Sequence, residues 1–220
     1  MHDINRKLHI LISCCSESWG GLEMAALETA IQLKKSGMQV TIAGLDNTAF
    51  IKKAGNYEFN LISLLPGNIH LLKNIFTIKK FIKTSDPNII HSHLSHDLWI
   101  LTPALKLSGS DAKLFLTKHM ASGIKKKDIF HRFLYNRVNK AAAVSQYIKK
   151  SLVDTTSIPE DKIIVLPVGI DADKFNIFYN KEEIKTVLQI PLNKLVIGFT
   201  GRITPGKGHE DFFKAAKIFE

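Results

Sequence analysis

Short apolar runs alternate along this chain with segments in which apolar residues recur at helical spacing. The runs that predict strands are Leu8–Ser13, Val40–Leu45, Phe59–Leu64, Ile89–His93, Lys113–Thr117, Ala141–Ser145, Ile163–Leu166 and Leu195–Phe199. Helical spacing marks Leu22–Lys35, Ile69–Lys83, Asp97–Leu107, Ile129–Asn139, Gln146–Val153, Lys181–Leu188 and His209–Phe219. This alternation predicts an α/β fold, with a parallel sheet that carries helices on both faces.

Residues that follow each predicted strand are the first candidates for a site, because parallel sheets bind ligands beyond the carboxyl ends of their strands. Gly20 and Gly21 lie at the start of the first predicted helix, where free N–H groups and missing side chains suit a phosphate or a sugar hydroxyl. The pattern Gly-x-Gly-x-x-Gly is absent, so no dinucleotide fingerprint is present. A simple tight turn explains the glycine pair equally well.

A second candidate anion site follows Leu195–Phe199, which we predict to be a buried strand. The loop after it contains Gly201, Gly206 and Gly208 and leads into the last predicted helix. Arg202 and Lys207 add a guanidinium fork and a point charge, both suited to phosphate oxygens. The alternative is an ordinary solvated loop, and the spacing does not fit a Walker loop.

Histidines form the densest polar cluster of the chain. His91 and His93 point to one face of a predicted strand, His96 and Asp97 follow it, and His119 closes the next strand. Zinc ligation is one interpretation of such a cluster. The alternative, which we favour, is hydrogen bonding to a sugar or a phosphate in a cleft.

Composition limits the class of protein. The chain has 220 residues, of which 45% are hydrophobic, and this content excludes a disordered chain. No apolar run is long enough to span a bilayer, and the first residues do not form a signal peptide. The adjacent Cys14 and Cys15 fit reduced thiols better than a disulfide framework. We therefore expect a cytoplasmic protein.

The formal net charge of +10 suggests a nucleic acid, an anionic membrane or a phosphorylated substrate as partner. No zinc-finger spacing or RNA-binding strand pattern is present, so we expect no nucleic acid partner. Ile69–Lys83 and Ile124–Leu134 combine basic and apolar residues, as membrane-surface segments do. Ordinary amphipathic surface helices explain both segments as well.

Several motifs, taken in order, carry a family resemblance. They are Gly20-Gly21-x-Glu23, His91-Ser-His93, Thr117-Lys-His119, Val144-Ser145, Lys162-Ile-Ile-Val-Leu-Pro-Val-Gly-Ile-Asp-Ala-Asp-Lys-Phe175, Phe199-Thr-Gly-Arg202 and Lys207-Gly208. In this order and spacing the sequence resembles the family 4 glycosyltransferases, which are retaining, use nucleotide sugars and have the GT-B fold. One departure is Val168, where the family usually has Asn.

The resemblance implies a division of the chain and a set of roles. Residues 1–172 would be the acceptor-side Rossmann-like domain, and residues 173–220 the crossover and the start of a second Rossmann-like domain that binds the nucleotide sugar. Arg202 and Lys207, with Gly20 and Gly21, would hold the donor diphosphate. The catalytic His119 would touch the donor sugar, and the cleft on the acceptor side would be lined by Glu23, His91, His93 and Ser145.

The same resemblance implies the partners. They would be a nucleotide-sugar donor and a glycan or glycolipid acceptor, used in cell-surface polysaccharide or lipopolysaccharide synthesis at the inner face of the cell membrane. We expect no metal and no other cofactor, because two cations would already stabilise the departing diphosphate.

The family's Glu-x7-Glu region and its base contacts would lie past Glu220, so we expect the 220 residues alone to be inactive as a truncated enzyme. Two alternatives stay open. One is a sugar-nucleotide epimerase on the same scaffold, and the other is a non-catalytic fragment that binds acceptor or membrane.

Overall fold

The structure is a computed structural model that describes residues 8–176, 178–201 and 203–218. It divides into two compact units, Met1–Gly169 and Ile170–Glu220. The strands of the first unit are β1 (His9–Cys14), β2 (Gln39–Leu45), β3 (Asn60–Leu64), β4 (Ile89–Ser92), β5 (Lys113–Lys118), β6 (Lys140–Ala143) and β7 (Ile163–Val165). Its helices are α1 (Gly21–Lys35), α2 (Ala49–Gly55), α3 (Leu71–Ser85), α4 (Leu98–Ser108), α5 (Ile129–Asn136) and α6 (Gln146–Thr155). The second unit contains α7 (Lys181–Val187) and α8 (His209–Ile218).

The seven strands form one sheet in the order β3-β2-β1-β4-β5-β6-β7, and every neighbouring pair is parallel. The direction of winding reverses between β1 and β4. In open α/β sheets such a reversal leaves a crevice at the carboxyl ends of the two strands, where ligands bind.

Helices cover both faces of this sheet. Every residue of β1 is buried, as expected for a central strand enclosed on both sides. Ile10 and Ile12 pack in a cluster with residues of α1 and α2, whereas Leu11 packs in a second cluster with residues of α3 and α4. The predicted Rossmann-like α/β fold, a parallel sheet with helices on both faces, is confirmed.

Helix α2 was not predicted. It has seven residues, too few to display a clear period, although Phe50, Ile51 and Ala54 are buried on one side of it. Thr48 precedes it in an extended conformation and makes no side-chain cap.

The prediction of a buried strand at Leu195–Phe199 is wrong. These residues have no regular structure, and the side chains of Leu195 and Ile197 are 86% and 69% exposed. A strand forms only where a second strand supplies its hydrogen bonds and a packed face covers its side chains. Among the described residues of 170–220 there is no second strand to pair with it.

A buried carboxylate joins the two strands that flank the crevice. Asp97, directly before α4, accepts a hydrogen bond from Ser13 Oγ in β1 at 2.6 Å. It also accepts the backbone N–H of Cys15, at 3.2 and 3.3 Å from its two oxygens. Burial raises the pKa of Asp97 to about 6, although these hydrogen bonds oppose the shift.

We predict that Asp97→Asn removes a pH dependence of stability. Because the pKa of Asp97 is raised in the folded protein, the folded state keeps this proton at a pH where the unfolded chain has lost it. The stabilisation is therefore complete below about pH 4 and is lost as the pH rises through about 6. At about 1.4 kcal/mol per pKa unit, the loss is on the order of 2–3 kcal/mol.

The measurement is urea unfolding of both proteins between about pH 4 and pH 7. Asparagine keeps the shape and an acceptor oxygen but does not ionise, so the other titrating groups cancel in the difference between the two proteins. A difference in unfolding free energy that stays constant over this range would contradict the prediction.

Candidate functional site

The candidate site lies at the carboxyl ends of β1, β4 and β5. The strands stand in register, with Ile12 opposite His91 and Ser92 opposite Leu116, so their ends meet at one edge of the sheet. The backbone N–H of His93 donates to the Ser13 carbonyl at 3.0 Å and extends the β1–β4 pairing by one residue.

Four side chains at the ends of β4 and β5, or directly after them, form two repeated contacts on one face. His91 Nε2 lies 2.7 Å from Thr117 Oγ1, and two residues further on, His93 Nδ1 lies 3.1 Å from His119 Nε2. The rings of His91 and His93 also touch, with centroids 4.4 Å apart. The structure thus brings together three of the predicted site residues, His91, His93 and His119, through the period of two in each strand.

Burial makes these histidines neutral near pH 7. It lowers the pKa of His91 to about 4, and His119 adds to this effect. It lowers the pKa of His93 well below its usual value, with contributions from His91 and His119. The pKa of His119 is also lowered by burial, and although the charge of Glu23 opposes this, Lys118 adds to the lowering. The cluster therefore acts through hydrogen bonds and carries no charge of its own.

Glu23 brings a carboxylate to the same place. It lies in the first turn of α1, is 5% exposed, and its charge acts on both His119 and Cys14. A carboxylate in the first turn of a helix is favoured by the helix dipole. Glu23 thus lies near enough for its charge to act on His119, and its predicted place in the cleft stays a prediction.

The glycine pair leaves the start of α1 open. Gly20 precedes the helix in an extended conformation with φ −166° and makes no side-chain cap, and Gly21 is the first helical residue. A Cβ atom at Gly21 would meet nothing within 4 Å. The backbone at these positions is not left-handed and so does not require glycine. The effect of the two glycines is to leave the space in front of the helix start free of side chains.

Ser145 has a structural contact. It precedes α6, and its hydroxyl accepts the backbone N–H of Ile148 at 3.3 Å. Such a cap stabilises the start of a helix. The predicted place of Ser145 in the cleft stays a prediction.

The predicted diphosphate pair belongs to the second unit. Lys207 is exposed in the loop before α8, between Gly206 and Gly208, whose φ values of 77° and 82° favour glycine. Arg202 lies outside the described residues. The roles of Arg202 and Lys207 stay predictions.

An apolar cavity beside the crevice was missed by the sequence analysis. It has a volume of about 350 Å³ and is lined by residues that include Cys15, Leu45, Leu65, Leu71, His96 and Ile100. Cys15, Leu45 and Leu65 lie at or directly after the carboxyl ends of β1, β2 and β3. The strand ends that border the cavity could be predicted from the sequence, but the space that the loops leave between them could not.

The histidines gathered at this edge are not arranged as a metal site in the described part of the chain. Within residues 8–176, 178–201 and 203–218, no three His, Cys, Asp or Glu side chains are placed to hold a metal ion. His91, His93 and His119 contact Thr117 and one another instead. The expectation of a metal-free site stays a prediction.

Solved structures share this architecture. A glycosyltransferase from Rickettsia africae ESF-5 is 25% identical and superimposes with a TM-score of 0.81 over 97% of this chain and 58% of that one. Anabaena Alr3699/HepE, solved in complex with UDP and glucose, is 16% identical, with a TM-score of 0.76 over 96% of this chain and 58% of its own. The second likeness concerns the fold alone.

Sequence comparison leads to the same class of enzyme. An Escherichia coli protein described as UDP-Gal:alpha-D-GlcNAc-diphosphoundecaprenol alpha-1,3-galactosyltransferase is 25% identical over 154 residues, which are 66% of this chain and 40% of that protein. This chain thus spans well under two thirds of the length of these relatives. The family described as Glycosyltransferase Family 4 matches residues 19–174. The chain belongs to glycosyltransferase family 4.

Proposed function

We propose that this chain forms the acceptor side of a retaining glycosyltransferase, which transfers a hexose from a nucleotide sugar to a diphosphate-linked glycolipid or a growing polysaccharide. The observation that carries the proposal is the contact of His93 with His119 beyond the ends of β4 and β5, together with the charge of Glu23 that acts on His119 from the first turn of α1. The Escherichia coli relative, by its name, uses UDP-galactose and a diphosphoundecaprenol acceptor. Both substrates contain a diphosphate, which suits an open helix start.

Breaking the bond between sugar and phosphate develops negative charge on the departing diphosphate. In the proposed mechanism the free N–H groups at the start of α1 meet part of this charge within the first unit. Lys207 and Arg202 would supply the cations, and no metal would then be needed. Retention means that the acceptor hydroxyl bonds to the face of the sugar that the diphosphate leaves.

The proposed acceptor site is the apolar cavity beside the crevice. Its lining combines the apolar side chains of Leu45, Leu65, Leu71 and Ile100 with five more polar ones, which are Cys15, Glu17, Asn68, Asn74 and His96. Apolar surface with polar groups placed among it is the usual composition of a small-molecule pocket. It would receive the less polar face of a sugar or the first part of a lipid chain.

The test is a transfer assay on the 220-residue chain and on the complete product of its gene. UDP-galactose and other UDP-hexoses are offered with a short-chain GlcNAc-diphospho-lipid, and the product is identified by mass spectrometry and by the NMR coupling of its anomeric proton. We expect acceptor-dependent transfer with retained configuration by the complete product. Conversion of the donor sugar without acceptor would contradict the proposal and favour the epimerase alternative.

We predict that Gly21→Ala lowers kcat/KM of the complete product on the order of tenfold, equal to about 1.4 kcal/mol. The added methyl group would occupy the space into which the diphosphate comes. Stability should stay equal or rise slightly, because alanine is the better helix former and its Cβ meets no neighbour.

Gly37→Ala is the matched control. Gly37 follows α1 with φ 84°, so alanine there should lower the melting temperature while leaving kcat/KM unchanged. Full activity of a well-folded Gly21→Ala protein would show that no ligand approaches this helix start.

The proposed site faces a membrane surface. Ile69 and Leu72, before and in the first turn of α3, and Ile129 and Phe130, at the start of α5, have largely exposed side chains. The residues after β3 that lead into α3 also line the apolar cavity. Trp99 at the start of α4 contacts His131, with ring centroids 5.5 Å apart, and places the start of α5 near the same edge.

Basic residues accompany these apolar side chains. Lys125 and Lys127 are exposed, and the charge of Lys126 acts on Lys118 at the end of β5. Apolar insertion combined with lysines is typical of proteins that lie on anionic bilayers. None of the helices in the described ranges is long and apolar enough to cross a membrane. The exposed apolar side chains and the lysines support surface binding as the proposed mode.

We predict that Lys125→Gln, Lys126→Gln and Lys127→Gln together weaken binding to anionic vesicles. At about 1 kcal/mol per lysine, the loss is on the order of a hundredfold at low salt, and it should shrink as salt rises. The measurement is co-sedimentation with phosphatidylglycerol-containing vesicles and with neutral vesicles.

The control removes equal charge from the opposite edge of the sheet. Its substitutions, Lys35→Gln, Lys83→Gln and Lys113→Gln, lie at the ends of α1 and α3 and at the start of β5. If binding falls equally in both triple variants, the loss is due to the lower net charge and not to the position of the lysines. Wild-type protein that binds anionic and neutral vesicles alike would exclude the proposed surface.

A further inference from the structure

The contact between His93 and His119 contains a single hydrogen. The two nitrogens are 3.1 Å apart, and the ring planes differ by only 21°. The centroid separation of 5.4 Å exceeds the nitrogen separation by about two ring radii, so the rings meet edge to edge. This is the geometry of an in-plane hydrogen bond between one N–H and one nitrogen lone pair.

Two arrangements satisfy this bond when both rings are neutral. Either His93 Nδ1–H donates to His119 Nε2, or His119 Nε2–H donates to His93 Nδ1. A neutral imidazole carries one N–H, so each choice also decides what the two remaining nitrogens present. The first choice leaves a lone pair on His93 Nε2 and an N–H on His119 Nδ1. The second choice reverses both.

The other nitrogen of His93 distinguishes these arrangements. His93 is 3% exposed, and its Nε2 has no hydrogen-bond partner among the described residues. An orphaned buried N–H is rarer in proteins than an under-used acceptor, because the donor loses its only hydrogen bond. The first arrangement avoids such a donor, since His93 then carries its hydrogen on Nδ1.

The charges around His119 favour the same arrangement. The charge of Glu23 acts on His119, and a nearby carboxylate favours N–H groups over lone pairs on the ring. His119 Nδ1 makes no hydrogen bond to any residue in the described part of the chain and belongs to a half-buried side chain. Lys118 opposes extra charge on the ring, which keeps it neutral.

We propose that His93 is a positioning residue that holds His119 in the Nδ1–H tautomer, so that His119 presents a hydrogen-bond donor to an oxygen of the bound sugar. The tautomer stands on the geometry of this unit alone, whereas the sugar as its recipient rests on the proposed function. His91 has a different part, because its Nε2 bonds to Thr117 and not to His119.

The test is long-range ¹H–¹⁵N correlation NMR of the ¹⁵N-labelled 220-residue chain near pH 7.5, which distinguishes Nδ1–H from Nε2–H imidazoles. Loss of single signals on substitution assigns the rings. We expect both His93 and His119 as Nδ1–H forms, against the Nε2–H preference of a free histidine. An Nε2–H or tautomerically averaged His119 in the wild-type spectrum would overturn the proposal without any variant.

Variants then test the cause. His93→Asn keeps an amide N–H near the former Nδ1 position and should preserve the tautomer of His119, whereas His93→Leu should shift His119 toward Nε2–H. His91→Leu is the matched control and should leave His119 unchanged. An unchanged His119 in folded His93→Leu would refute the positioning role.

Activity separates this inference from the proposed function. In the complete gene product, His93→Leu should lower kcat/KM for the nucleotide sugar severalfold to tenfold, and His93→Asn should restore most of it. Correct tautomers with no glycosyl transfer by any variant would contradict the proposed function alone. If NMR shows the expected tautomers but His93→Leu leaves kcat/KM unchanged, the role of His119 Nδ1–H as a donor to the sugar is overturned.

Discussion

The carboxylate of Asp97 is the interaction on which the crevice depends. Helices α1 and α4 pack on opposite faces of the sheet. The segments that follow β1 and β4 therefore diverge beyond the last hydrogen bond between the two strands. Asp97 supplies that connection by accepting from Ser13 and from the backbone of Cys15. An isolated buried carboxylate is costly, and these hydrogen bonds offset part of the cost. The loop that leads to Gly20 therefore starts from a fixed point.

Burial acts in opposite directions on the two kinds of ionisable group at this edge. It raises the pKa of Asp97 and lowers the pKa values of His91, His93 and His119. In both cases the low polarity of the surroundings disfavours the charged form. As a result, the histidines contribute directed hydrogen bonds, while Glu23 and Lys118 act on His119 through their charges.

The first unit was predictable because its signals are local. Strands such as β1 and β5 were placed within about two residues from their apolar runs, and the closeness of His93 to His119 follows from parallel strands that end at one edge. The strand expected at Leu195–Phe199 was wrong because pairing depends on a partner that no local run contains. Helix α2 was too short to show its period.

Finer features of the site were beyond sequence reasoning for a different reason. The bond of Asp97 to Ser13 joins residues 84 positions apart, and its existence depends on side-chain rotamers in a closed core. The apolar cavity depends on how the loops after β1, β2 and β3 leave space between them. The partner of each histidine nitrogen likewise depends on differences in distance of a few tenths of an ångström. The spacing of residues along the sequence does not determine distances this precisely.

In the proposed function, neutral histidines and an open helix start would divide recognition of the nucleotide sugar between them. A protonated His119 would attract the charged diphosphate more strongly than a neutral sugar hydroxyl. A neutral ring in one tautomer offers a single directed N–H, which a hydroxyl or ring oxygen can accept without competition from long-range charge. The anionic part can then be met by the backbone N–H groups at Gly20-Gly21, whose partial charges are fixed and independent of pH. Burial that keeps His93 and His119 uncharged therefore favours selection of the sugar itself over mere attraction of phosphate.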